Sequence, residues 1–156
     1  VEARLIDFAN LRRAMVDGQV RVNDVTDQRI LAAMLELPRE RFVPERRTSL
    51  AYIDEDLAVR EARGAEPARY LLEPMVLARL VQALELSSSD HVLDVGCATA
   101  YSSALLGRLA GTVIALEEDG ELAARARQIL SELGAANVEV VTGRLPAGSP
   151  ERGSYD

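Results

Sequence analysis

The sequence predicts an α/β domain: the first βαβαβ half of a doubly wound parallel sheet, preceded by an N-terminal helical segment. Two observations carry this expectation. Three short strand-like runs, His91–Val95, Thr112–Glu117 and Val138–Thr142, alternate with helical patterns over 99–110 and 119–133. The first third, by contrast, shows helical spacing and no strand alternation.

Phe8, Leu11 and Met15 recur at helical spacing, and Ile30, Leu31, Met34 and Leu35 do so again behind a Thr26 cap. Pro38 stops that second helix, because proline lacks the N–H the helix needs. From 39 to 69 the periodicity fails, and Pro44, Gly64 and Pro67 punctuate a long irregular stretch of the kind that is functional or mobile in compact domains. A third helix opens at Glu73-Pro74 and runs to about Leu86, with Val76, Leu77, Leu80, Val81 and Leu84 on one face. Ser87 to Asp90 form a connecting turn. In the βαβαβ run, Gly111 and Gly134 close the two helices where a left-handed residue is wanted. The domain reading is therefore a helical and loop segment over 1–70, on the substrate side, and the half-sheet over 71–156.

With 156 residues, 48% of them apolar, the chain can bury one domain-sized core. A net charge of −7 disfavours nucleic acid and anionic lipid as partners, since phosphate binding needs clustered Lys and Arg. Arg12-Arg13 and Arg46-Arg47 read as solvated helix faces. Cys97 is the sole cysteine, so no intrachain disulfide forms, and no apolar run approaches the ~20 residues of a membrane helix. These features predict a cytoplasmic protein. His91 has no second ligand at metal spacing, and no metal site is expected.

In an open parallel sheet the ligand sits beyond the C-terminal strand ends. After the first strand stand Asp94, Val95, Gly96, Cys97, Ala98, Thr99, Ala100 and Tyr101, a run of small residues entering a helix; the second strand ends in Glu117, about 20 residues beyond that loop, the spacing of a ribose-binding acid. Taken singly, the glycine can be a plain turn, the acid a solvated group and the small residues a packing device. Together they predict a nucleoside cofactor. A nicotinamide site would favour G-x-G-x-x-G, but Ala98 and Tyr101 stand at the later glycine places, whereas Asp94 before the first glycine suits S-adenosyl-L-methionine. Cys97 reads as a small buried side chain rather than a reactive thiol.

These residues resemble the protein-L-isoaspartate O-methyltransferase family. Val92 to Tyr101 is similar to its V-L-D-V-G-S-G-S-G-Y, Val113 to Glu117 to its V-x-G-I-E, Arg39 to Pro44 to its R-x-x-F-V-P, and Tyr52 and Asp54 to its Y-x-D. The resemblance implies a Rossmann-like S-adenosylmethionine-dependent methyltransferase fold and methylation of the carboxyl group of L-isoaspartyl residues in damaged proteins or peptides. By the same resemblance Asp94, Gly96, Cys97, Ala98, Thr99, Glu117, Gly143 and Arg144 line the cofactor, and Tyr52, Asp54 and Leu72 face the substrate. The chain departs from the pattern at several places. The serine of G-Q-T-I-S-Q-P is Leu72, which donates no hydrogen bond, and the following glutamine is Glu73, so no catalytic residue is assigned. Ala98 and Ala100 replace loop glycines, and Gly143-Arg144-Leu145 replaces G-D-G, which removes the acid expected on the adenine. The alternative to an enzyme is therefore a non-catalytic member that keeps the fold as a cofactor-binding or interaction module. Tyr155-Asp156 matches the start of the family's fourth strand, so a C-terminally truncated chain with an open apolar sheet edge is expected.

Overall fold

The structure, a computed structural model, describes residues 6–156. Asp7 starts α1 (Phe8–Met15) by accepting the Asn10 backbone N–H at 3.0 Å, one of the donors that any helix start leaves free. The helix tightens and loosens without breaking, through a π-helical turn (Val16–Val20) and a 3-10 turn (Arg21–Asn23), until Asp24 ends it at φ 62°. The second helix, α2 (Gln28–Glu36), begins one residue later than the sequence suggests. Asp27 caps it, accepting from Arg29 N at 2.8 Å, and the Thr26 and Asp27 N–H groups both donate to the side-chain oxygen of Gln82, at 2.7 and 3.0 Å. Ile30, Leu31 and Met34 are buried as expected, while Leu35 stays exposed; each fully buried chain of this size is worth about 1.5–3 kcal/mol.

The stretch read as irregular holds ordered pieces. Two 3-10 turns (Arg39–Phe42 and Glu45–Leu50) lead to β1 (Leu57–Arg60), which pairs antiparallel with β2 (Arg69–Leu71), Leu57 opposite Leu71 and Arg60 opposite Arg69. Strands of four and three residues are too short for alternation to register, which is why the hairpin escapes a periodicity argument. Nor is Arg12 a solvated charge. Its Nε donates to the Tyr52 hydroxyl at 2.9 Å and its Nη2 to Glu40 at 3.2 Å. Arg46 and Arg47 do lie outside the core, sharing Glu61.

The third helix, α3 (Pro74–Ala83), stops short of Leu86, and its apolar face is divided. Leu77 and Val81 are buried, but Leu80 and Leu84 are 55% and 57% exposed. Then come β3 (His91–Val95), α4 (Tyr101–Gly107), β4 (Thr112–Glu117), α5 (Gly120–Glu132) and β5 (Val138–Thr142). The three strands form one parallel sheet in the order β3-β4-β5, in register from His91 opposite Thr112 to Glu117 opposite Thr142. Central β4 is buried from Val113 through Glu117, the unbroken apolar run of a strand covered on both faces until its last residue. Gly134 adopts the left-handed conformation expected after α5, at φ 66°. Gly111 serves differently: a Cβ there would stand 2.9 Å from the Ser88 carbonyl oxygen, so the position demands close approach rather than positive φ.

Among the described residues no strand lies beside the outer side of β3 along most of its length, and Val95 is 51% exposed there. At its first residue only, Asp156 pairs with it, the two backbones and the Asp156 carboxylate exchanging bonds of 3.0 and 2.8 Å with His91. One hydrophobic cluster joins Met15, Ile30 and Met34 of the first third to Leu105, Val113 and Ile129 around the sheet. Among the described residues no helix is long and apolar enough to cross a membrane.

Candidate functional site

Parallel pairing in register brings the C-terminal ends of β3 and β4 side by side. Gly96 N and Cys97 N both donate to the Leu116 carbonyl, at 2.8 and 3.1 Å, and the turn then aims the Ala98 N–H at Glu117 Oε2, 2.7 Å away. The small-residue turn and the strand-end acid therefore meet at one end of the sheet. The turn is tight enough to force Gly96 (φ 79°), Ala98 (φ 51°) and Ala100 (φ 70°) into left-handed backbone, which is natural for glycine and costs an alanine about 1–2 kcal/mol.

Glu117 is fully buried and accepts four hydrogen bonds. Two come from the backbone, Ala98 N to Oε2 and Asp119 N to Oε1, and hold the carboxylate in place. The other two come from one guanidinium: Arg69 Nη1 and Nη2 reach Oε1 and Oε2, both at 2.7 Å, in a bidentate fork. Arg69 extends from β2 of the hairpin the sequence left unread. No periodicity flags it, and the G-Q-T-I-S-Q-P comparison covers its position, at the first glutamine, without giving it a role.

Asp94 accepts the Ser102 and Ser103 hydroxyls at 2.7 and 2.6 Å, and burial pushes its carboxyl above the usual range against the pull of those two donors. Cys97 is buried, and desolvation pushes its thiol up to about 12, which disfavours the nucleophilic thiolate. The Thr99 hydroxyl donates to the Phe42 carbonyl at 2.6 Å, tying the turn to the N-terminal segment. Gly143 N donates to the Glu117 carbonyl at 3.0 Å, which puts the end of β5 beside the site. Arg144 points out and is exposed, while its neighbour Leu145 reaches back over Gly96, 3.5 Å from where a Cβ would be.

The residues expected on the substrate side scatter. Leu72 lines a cavity of about 350 Å³ with Asp94, Gly96, Cys97, Tyr101 and Ser102. Tyr52 is buried elsewhere, its hydroxyl shared between Arg12 and Glu40, and Asp54 is exposed. Arg39, whose role the R-x-x-F-V-P match marks only as a position, ties the backbone at Ala51 to that at Leu72. Fully buried, it donates Nε to Ala51 O at 2.8 Å and Nη2 to Leu72 O at 2.7 Å, and lies over the Tyr101 ring at 4.7 Å. Among the described residues no group of three His, Cys, Asp or Glu side chains could hold a metal ion.

A parallel half-sheet whose first turn faces an acid ending the second strand, under an N-terminal helical cover, defines a Rossmann-like fold of the methyltransferase class. The family model for protein-L-isoaspartate(D-aspartate) O-methyltransferase matches residues 10–156, and the chain belongs to that family. Protein-L-isoaspartate O-methyltransferase 2 of Anaeromyxobacter sp. (strain Fw109-5) is 42% identical over 144 residues, 92% of this chain and 57% of that protein. The protein-L-isoaspartate O-methyltransferase of Koribacter versatilis (strain Ellin345) is 38% identical across 97% of this chain and 66% of its own length. A solved structure of a protein-L-isoaspartate O-methyltransferase superposes with a TM-score of 0.78 at 27% identity, covering 93% of this chain and 46% of that one. The chain thus spans roughly three-fifths of the curated relatives it matches. A Plasmodium falciparum structure described as a complex with S-adenosyl-L-homocysteine shares the fold, with a TM-score of 0.67 at 17% identity.

Proposed function

We propose that this chain carries the adenosine-binding half of an S-adenosyl-L-methionine-dependent carboxyl methyltransferase acting on L-isoaspartyl residues of proteins or peptides. The observation that carries the reading is the facing of the Gly96–Thr99 turn and the Glu117 carboxylate at one sheet end. Family membership supplies the rest.

The residues present suit the cofactor in kind. Glu117 can accept two ribose hydroxyls, since its two backbone donors leave one acceptor position free on each oxygen once Arg69 moves. Gly96, Cys97 and Ala98 put small side chains where a ligand must approach the backbone, with Asp94 braced below them. Gly143 and Arg144 stand at the end of β5, on the side where an adenine would lie. When bound, the cofactor supplies an electrophilic sulfonium methyl group. The chain's own part is alignment: a carboxylate acceptor is already a nucleophile at neutral pH, so positioning rather than a general base carries the rate. Leu72, lining the cavity beside Gly96, shapes the acceptor side without donating to it. The described part of the N-terminal segment, residues 6–70, would cover that side, and a cytoplasmic setting fits the lone buried thiol.

The test is transfer of labelled methyl to an isoaspartyl peptide, with the normal aspartyl peptide as control. Transfer to the first alone supports the reading. A non-catalytic member is the second reading, favoured by Leu72 at the acceptor cavity and by alanines in left-handed backbone at 98 and 100. Cofactor binding without transfer selects it.

A further inference from the structure

We propose that Arg69 is a latch on the ribose subsite, a built-in stand-in for the ligand that must leave before an adenosine-bearing cofactor can enter; this rests on the adenosine-site reading above. A vicinal diol and a guanidinium edge offer a carboxylate the same thing, two parallel donors spaced to match its two oxygens. Arg69 makes that pair of bonds to Glu117, both at 2.7 Å. The other acceptor position on each oxygen is already taken by backbone, so the face Arg69 covers is the face a diol needs. Its Nη2 also lies 3.4 Å from the Cβ position of Gly96, filling the approach to the turn. Diol and guanidinium exclude each other.

The local structure gives the latch somewhere to go. Arg69 sits on a three-residue strand bonded only to β1, and residues 61–67 that join the two strands are exposed throughout. Behind it opens a cavity of about 570 Å³ walled by Arg69, by Glu66, Asp119 and Glu121, which Arg60 and Arg63 already pair, and by Glu118, which no ion pair among the described residues engages. A guanidinium leaving Glu117 thus swings towards the Glu118 carboxylate and open solvent and is not stranded without a counter-charge. Glu117 meanwhile keeps its two backbone donors and its place.

A site that is open only part of the time binds with an affinity reduced by the open fraction. Calorimetric titration of S-adenosyl-L-homocysteine into the wild-type chain and into Arg69→Met, which keeps length and loses the fork, reads that reduction directly. The variant should bind at least about tenfold tighter, while its ligand-free form melts at a lower temperature. A folded variant that binds no tighter than wild type overturns the latch and leaves the adenosine site standing. If neither protein binds at millimolar ligand, the adenosine reading itself fails. A second readout does not depend on the variant's folding: in the wild type, the Arg69 guanidinium N–H signals should exchange slowly when free and lose that protection at saturating ligand. Protection that persists in the bound state overturns the proposal.

Discussion

The segment from Arg39 to Glu73 and the segment from His91 to Thr142 both deliver charged groups to the same sheet end, by opposite means. In the second, local pattern does the placing. Three parallel strands in register put Gly96, Glu117 and Gly143 together as a consequence of topology. In the first, two 3-10 turns and a short hairpin have almost no regular hydrogen bonding of their own, and long Arg side chains span the gaps. Arg39 pins Ala51 to Leu72 from the interior, and Arg69 grips Glu117. A regular scaffold tolerates loss of any one polar contact better than a loop held by single cations does.

The largest effect expected from this contrast is at Arg39. Arg39→Ala removes two bonds to buried carbonyls and opens a cavity beside Tyr101, and should lower unfolding free energy by about 3–5 kcal/mol in urea denaturation. Arg46→Ala, whose side chain is 64% exposed, should leave the midpoint where it is. Equal effects at the two positions would erase the distinction. Next comes Glu117→Gln, which sets an amide NH2 against a backbone N–H and the Arg69 guanidinium in a buried site and should cost about 1–3 kcal/mol by the same measurement.

Within the scaffold itself, Gly111→Ala drives a methyl group to 2.9 Å from the Ser88 carbonyl and should cost about 1–3 kcal/mol. A smaller cost would mean the Ser88 turn yields easily. The smallest structural signal is chemical. Because burial raises the Cys97 thiol to about 12, iodoacetamide at pH 8 should label the native protein at least about a hundredfold more slowly than a free thiol. The sign for stability follows: a raised folded pKa leaves the thiol's contribution intact below the ordinary thiol range of about 8.5 and removes it as pH climbs towards 12.

The sheet was legible because its signals are local. Each of β3, β4 and β5 begins and ends where the apolar runs do, and the glycine after β3 and the acid ending β4 follow from position on the strand. Helix ends were less legible, since Thr26 and Asp27 are adjacent residues that both suit a cap, and it is Asp27 whose side chain accepts from Arg29 N. The hairpin was illegible for want of length. Tyr52 read as a site residue because a motif gives position without direction, and its hydroxyl turns into Arg12 and Glu40. Arg69 stands at the first glutamine place of the G-Q-T-I-S-Q-P stretch, but a motif place gives no contact, and its meaning lies in a bond to Glu117 across 48 residues of chain.

Whether Glu117 and the Gly96 turn hold an adenosine can be asked directly by titrating S-adenosyl-L-homocysteine into the wild-type chain and into Glu117→Ala, with circular dichroism confirming that both are folded. Saturable binding by the wild type, lost or weakened by at least about tenfold in Glu117→Ala, is expected, as removal of an acceptor from hydrogen bonds to a charged group costs about 1.5–3 kcal/mol. Equal binding by the two proteins would mean that the carboxylate ending β4 does not contact the ligand.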